Sequence, residues 1–287
     1  MRGKTVLITG ANRGIGKETT RAIAGQGATI VMACRNLAIA QPVCEAIRKE
    51  SGNPQIEVMH VDLASLSSIR EFAKQFCEKY QQLDVLFNNA GVLCLKREET
   101  LDGFEKTMGI NYFGHFLLTR LLLPVLQQTP EARIINVSSI AHLWGRIDLS
   151  DLNFQKGYQG MKAYARSKLA LVLFTQELAQ RLKGSNVTAN SLYPGLVETE
   201  MWNLVPEQKW YQVILRMAER LILISKQEGA QTGIYLACSD EVKGITGKYF
   251  YRKRARITSR RCKDIKLQKE LWQLSEKLTG LSDVVCS

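Results

Sequence analysis

The opening of the chain restricts the fold more than any other stretch. Lys4-Thr-Val-Leu-Ile-Thr9 is a short apolar, β-branched run that leads directly into Thr9-Gly10-Ala11-Asn12-Arg13-Gly14-Ile15-Gly16. Such a near-continuous run suits a strand buried on both faces of a parallel sheet. Helical periodicity follows over residues 14–24. Glycines between a strand and a helix allow a tight turn and let backbone N–H groups approach a pyrophosphate, which then sits at the positive end of the helix dipole. A glycine triplet alone also occurs in turns that bind nothing; the strand–turn–helix context is what gives this one weight. Gly10, Asn12, Arg13, Gly14, Ile15 and Gly16 are the candidate dinucleotide contacts.

The alternation continues along the chain. Strands are expected over residues 28–33, 56–60, 84–88, 133–137 and 187–192, and helices over 37–50, 65–80 and 161–182. Ile69, Phe72, Ala73 and Phe76 mark the buried stripe of the third helix. Repeated βα units of this kind predict an α/β fold, a doubly wound parallel sheet of Rossmann-like form. No linker, low-complexity run or internal repeat divides the 287 residues. One catalytic domain over 1–287 is expected, with a substrate-covering segment at about 195–228 and a basic segment at about 251–287.

The end of the second strand bears on which dinucleotide is held. Asp or Glu there accepts from the ribose 2′-hydroxyl of NAD, whereas Arg accommodates a 2′-phosphate. Here the strand ends Met32-Ala-Cys-Arg35-Asn36 with no carboxylate, and Arg13 in the glycine loop adds a second cation. Guanidinium groups match phosphate oxygens in pairs. Either arginine alone reads as a surface residue; together, at these two places, they favour NADP(H).

Tyr164 and Lys168 stand at i and i+4, on one helix face. An ammonium beside a phenol favours the phenolate, so Lys168 is expected to lower the Tyr164 pKa toward working pH and make it a general acid/base. The pattern by itself is common on solvated helix faces. Its position is informative, because Asn136-Val-Ser138-Ser139 lies 25 residues earlier at the carboxyl end of a predicted strand. That edge of an open α/β sheet is where ligands bind.

The ordered set of glycine loop, Asn88-Asn89-Ala90-Gly91, Asn111, Ser139, Tyr164/Lys168 and Pro194-Gly195 resembles the short-chain dehydrogenase/reductase family over roughly residues 3–280. Ala33-Cys-Arg35, Asn111-Tyr-Phe-Gly-His-Phe116, Ser167-Lys-Leu-Ala170 and Gly247-Lys-Tyr-Phe250 resemble its retinol dehydrogenase (retinal reductase) branch and polyprenoid-handling relatives. The resemblance implies Tyr164 as proton donor/acceptor and Lys168 as its tuner and a holder of the nicotinamide ribose. It implies Ser139, rather than Ser138, as the residue orienting the substrate oxygen, and Asn111 as holder of a water linking Lys168 to solvent. Asp62 and Leu63 would meet the adenine, Asn89, Ala90 and Gly91 would line the cofactor floor, and Thr199, after Pro194 and Gly195, would touch the carboxamide. The implied activity is NADP(H)-dependent interconversion of a lipophilic alcohol and its aldehyde or ketone. A sterol or xenobiotic carbonyl on the same machinery is one alternative; a non-enzymatic nucleotide-binding module is another.

Residues 207–225 read as an amphipathic helix through Trp210, Val213, Ile214, Met217, Leu221 and Ile224. Packing on the core and an oily lid over substrate both remain open. Residues 113–126 are apolar almost all round, which leaves surface for a partner, and family members often pair this helix with the one carrying Tyr164. A homodimer or homotetramer is the expectation, with a deeply packed monomer as the alternative.

Composition removes other classes. Seven scattered cysteines without a C-x-x-C pair and three isolated histidines lead us to expect no signal peptide, reduced thiols, a cytoplasmic location and no metal site. No apolar run is long enough to span a bilayer, and no nucleic-acid partner is expected. The net charge of +12 is concentrated at residues 252–263, which hold seven Lys/Arg and no acid. A solvated strand end explains such a run, as does weak peripheral contact with an anionic membrane.

Overall fold

In a computed structural model that describes residues 1–197 and 223–281, each apolar run becomes a buried strand. β1 (Thr5–Thr9) is buried throughout and is followed by α1 (Gly14–Ala24), β2 (Thr29–Cys34), α2 (Leu37–Ser51) and β3 (Ile56–His60). α3 (Leu66–Lys79) starts where the Ser65 side chain accepts from the Ser68 N–H, and β4 (Val85–Asn88) follows. A π-turn over Gly109–Phe113 opens α4 (Gly114–Gln128). Then come β5 (Ala132–Val137), α5 (Gly160–Arg181), β6 (Val187–Leu192) and α6 (Lys226–Cys238). β7 (Tyr249–Tyr251), β8 (Arg254–Arg256) and α7 (Ile265–Leu278) complete the described elements.

The sheet runs β3-β2-β1-β4-β5-β6-β7-β8, parallel except for the β7–β8 pair. Its order reverses between β1 and β4, the switch point beside which ligands bind in doubly wound sheets. One face is covered by α3, α4 and α5 and the other by α1, α2 and α6, with aliphatic strand residues packed on both sides.

Two features depart from the periodicity. The basic run contains a β-hairpin whose two turn residues, Arg252 and Lys253, lie in the left-handed region at φ of 50° and 61°. That is the backbone of a two-residue primed turn, usually built from Asn and Gly. Arg254, Ala255 and Arg256 on the edge strand are all exposed. Charges on such an edge discourage pairing with another chain.

The second departure concerns the surplus apolar surface of α4. That surface is covered within the chain, by α7. Trp272 packs edge-on to Phe116 at 5.2 Å and stacks with Phe174 at 5.8 Å. The Arg120 and Arg181 guanidinium groups lie 4.9 and 4.3 Å from its ring centroid. The Tyr112 hydroxyl meets that of Ser275 at 2.8 Å, and Arg120 pairs with Glu276. Part of the apolar surface that the sequence leaves for a partner is thus covered within the chain, which a period-based reading of one helix cannot see.

Candidate active site

Gly10 and Gly14 take positive φ of 63° and 54°, the conformations the turn requires. Gly16 is held to glycine by contact: a Cβ there would lie 2.4 Å from the Gly10 carbonyl oxygen and 2.6 Å from Asn89 Nδ2. The amino end of α1 has no side-chain cap and no acidic residue in its first turn. Its open N–H groups and positive dipole therefore suit a phosphate. Gly10 N–H bonds the Ala33 carbonyl at 2.9 Å, and the buried Cys34 thiol lies against the Ala11 and Asn12 N–H groups. Burial pushes that thiol up to about 11. Arg35, the next residue, is exposed, as are Asn36 and Arg13; Asn12 and Ile15 are half-buried. No carboxylate among the described residues pairs with Arg35.

The rest of the predicted floor gathers at the same edge. Asp62 follows β3 and caps its own turn, accepting from the Ala64 N–H at 2.9 Å, and Leu63 is buried. Asn89 Nδ2 donates to the Thr9 carbonyl at 2.8 Å, which fastens the end of β4 to the glycine loop, with Ala90 against Gly10. A Cβ at Gly91 would stand 3.4 Å from Asn111 Oδ1 and 3.5 Å from Lys168 Nζ, so these groups share one small space.

Ser138 and Ser139 have different surroundings. The Ser138 hydroxyl is buried and donates to the Lys168 carbonyl at 2.8 Å. Ser139 accepts from the Ala141 N–H at 3.2 Å and faces the Tyr164 hydroxyl. Lys168 is buried, donates to the Val137 carbonyl at 2.9 Å, and stands 5.5 Å from the Tyr164 ring centroid. Desolvation lowers its pKa to about 8. Asn111 lies in the π-turn, its amide nitrogen donating to the Val92 carbonyl at 2.9 Å and Ser167 Oγ at 3.0 Å.

One expectation is reversed. The Tyr164 pKa is raised, because burial outweighs the contribution of Ser139, and Lys168 does not offset it. Sequence spacing puts the ammonium on the right face; it does not show the desolvation of the phenol, nor that the amine is turned to a strand-end carbonyl. Tyr164 is accordingly a protonated acid at neutral pH.

Pro194 is half-buried, and Gly195 adopts φ of 106° against Ile224. The Ile224 N–H bonds the Leu196 carbonyl at 2.9 Å. Thr199 and most of the expected 207–225 helix lie outside the described residues. Sequence reasoning missed Thr9 and His115, which are fully buried and joined side chain to side chain beneath the floor. The available signal was His115 standing one helical turn after Asn111.

Comparison with known proteins places the chain in a family. A family model described as short chain dehydrogenase matches residues 4–210. Retinol dehydrogenase 13 of Mus musculus is 43% identical over 98% of this chain and 85% of its own length. Retinol dehydrogenase 12 of Homo sapiens is 42% identical over 97% and 87%. Among solved structures, an uncharacterised protein of Mycobacterium paratuberculosis superposes with a TM-score of 0.79 at 36% identity, covering 97% of this chain and 94% of that one. A short chain dehydrogenase of Escherichia coli complexed with NADPH gives 0.69 at 25% identity, covering 87% and 96%. The chain belongs to the short chain dehydrogenase family, a family of oxidoreductases.

Proposed function

From this membership, we propose that the protein is an NADP(H)-dependent oxidoreductase that interconverts a lipophilic alcohol, retinoid- or polyprenoid-like, and its aldehyde or ketone. The observation that carries the proposal is the convergence of Ser139, Tyr164, Lys168 and Asn111 beside an uncapped helix amino end. The glycine loop and the α1 N-terminus would hold the pyrophosphate, and Arg13 and Arg35 the 2′-phosphate. Asp62 and Leu63 would meet the adenine, Asn89 to Gly91 the floor, and Pro194 and Gly195 the carboxamide side. When bound, the nicotinamide supplies the hydride in reduction and takes it up in oxidation.

The chain's own residues handle the oxygen and the proton. Ser139 and Tyr164 donate to the substrate carbonyl, polarising it for attack at carbon. The Tyr164 proton passes to the new alkoxide, and the phenolate left behind is stabilised by the charged Lys168. With its pKa raised, the phenol holds its proton at neutral pH, and the proton to be given is present. Lys168 and Asn111 then return a proton from solvent. Oxidation is the reverse.

One partner follows from the surface. The cations of 252–263 and the exposed Ile257 would give weak, salt-sensitive contact with anionic membrane, from which a lipophilic substrate is drawn. No helix among the described residues is long and apolar enough to cross a bilayer. Any homo-oligomer would pair through a face other than that covered by α7. The test of the function is NADPH consumption by purified protein with a carbonyl panel that includes retinal. Turnover confined to short polar carbonyls would refute the substrate class, and none with any member would refute the activity.

A further inference from the structure

Thr9, Asn111 and His115 are each fully buried and hydrogen-bonded in series. His115 Nδ1 lies 3.0 Å from the Asn111 backbone oxygen. A carbonyl oxygen can only accept, so Nδ1 carries the proton and Nε2 of the neutral ring is an acceptor. Nε2 lies 3.0 Å from Thr9 Oγ1. That hydroxyl accepts from the Asn89 N–H at 2.9 Å and the Ala90 N–H at 3.0 Å, and its own proton has two acceptors in reach, His115 Nε2 at 3.0 Å and the Phe87 carbonyl at 3.5 Å, of which the nearer, His115, takes it. With the Thr9 proton on His115 Nε2, the donors and acceptors of the series are mutually consistent.

We propose that His115 is a positioning residue for the reaction. Its neutral imidazole, protonated at Nδ1, fixes the proton-relay end of the site and the cofactor floor in one register. Asn111 lies within a π-turn. Within Gly109–Phe113 the bonding pattern widens, with the Gly114 N–H reaching back to the Gly109 carbonyl. The His115 side chain, one turn on, takes the Asn111 carbonyl. π-turns within helices concentrate at functional sites. Toward the site, the Asn111 side chain is held by Val92 and Ser167. Toward the glycine loop, Thr9 carries the restraint into Asn89 and Ala90, and Asn89 in turn bonds the Thr9 carbonyl. One uncharged ring thus joins β1, the end of β4 and the start of α4. Burial and the nearby Lys168 charge both keep it uncharged, with a pKa near 4.

The assignment of Asn111 to proton return rests on the function proposed above, so the test has arms that do not need a substrate. In full-length protein with 15N-labelled histidine and asparagine, the His115 ring should be neutral and protonated at Nδ1 at pH 7. A ring protonated at Nε2 alone, or on both nitrogens, would overturn the proposal. His115→Gln keeps one donor and one acceptor, whereas His115→Leu keeps neither. The Leu variant should displace the Asn111 side-chain amide signal and the Gln variant leave it in place. With any carbonyl that the wild type reduces, Leu should lower kcat about ten- to a hundredfold and Gln less than about threefold, at unchanged melting temperature for Gln. A Gln variant that is folded yet as slow as Leu, or a Leu variant with full kcat and an unmoved Asn111 signal, would overturn it. Absence of turnover in the wild type would count against the function alone.

Discussion

The Ser138 hydroxyl donates to the backbone carbonyl of Lys168 at 2.8 Å, so β5 and α5 are pinned together one residue away from Ser139 and Tyr164. Adjacent serines therefore have separable tasks. Ser138→Ala removes a buried bond between elements and should cost about 1–2 kcal/mol of stability. Ser139→Ala should leave the melting temperature nearly unchanged and lower kcat at least tenfold. Thermal melts beside steady-state rates check both, and equal stability losses in the two variants would contradict the division.

Arg35 follows β2, where the strand end touches the glycine loop through Cys34. Arg35→Ala should weaken NADPH by about 1.5–3 kcal/mol, roughly ten- to a hundredfold, and leave NADH little affected. Arg13→Ala should act in the same direction. Titration of each variant with both nucleotides measures this. A uniform loss would show that Arg35 has no part in recognising the 2′-phosphate.

Trp272 fills the space between α4 and α5, buried against Phe116 and Phe174. Trp272→Ala should destabilise the protein by about 3–5 kcal/mol and expose the apolar face beneath. Light scattering should show the variant associating more than the wild type. Wild-type dimers that dissociate on this substitution would contradict the view that α7 closes that face.

Most of this architecture could be read before the structure was known. The first six strands and the helices α1, α2, α3 and α5 fall within a residue or two of their predicted bounds, because buried parallel strands are apolar on both faces and their helices on one. The β7–β8 hairpin could not be read that way. β7 is three residues long, and its turn uses Arg252 and Lys253 where glycine or asparagine would have signalled it. The candidate site was legible from residue types at strand ends, since Ser139, Tyr164, Lys168, Asn111 and the glycine loop do share one edge of the sheet. Desolvation was not legible. It depends on which groups close around a side chain, and it raises the Tyr164 phenol that spacing alone said should fall.

If Lys168 acts as proposed, its charge should set an alkaline limit. Its pKa in the folded chain is lowered from 10.5 to about 8, so the ammonium is present at pH 7 and lost as pH rises through about 8. Stabilisation of a Tyr164 phenolate is lost with it. kcat/KM for reduction should therefore be level near pH 7 and fall about tenfold per unit above pH 8. A profile that stays flat to pH 10 would show that the ammonium is not required.

One substitution isolates the proposed proton transfer by Tyr164. Phe at this position preserves the ring that lies 5.5 Å from Lys168 Nζ and removes only the hydroxyl facing Ser139. The measurement is the single-turnover rate of NADPH oxidation by Tyr164→Phe with a carbonyl that the wild type reduces, alongside NADPH affinity. The rate should fall by at least about a thousandfold, within the range typical of general acid catalysis, with affinity changed less than about threefold. A folded variant that binds NADPH normally and retains a tenth or more of the wild-type rate would contradict it.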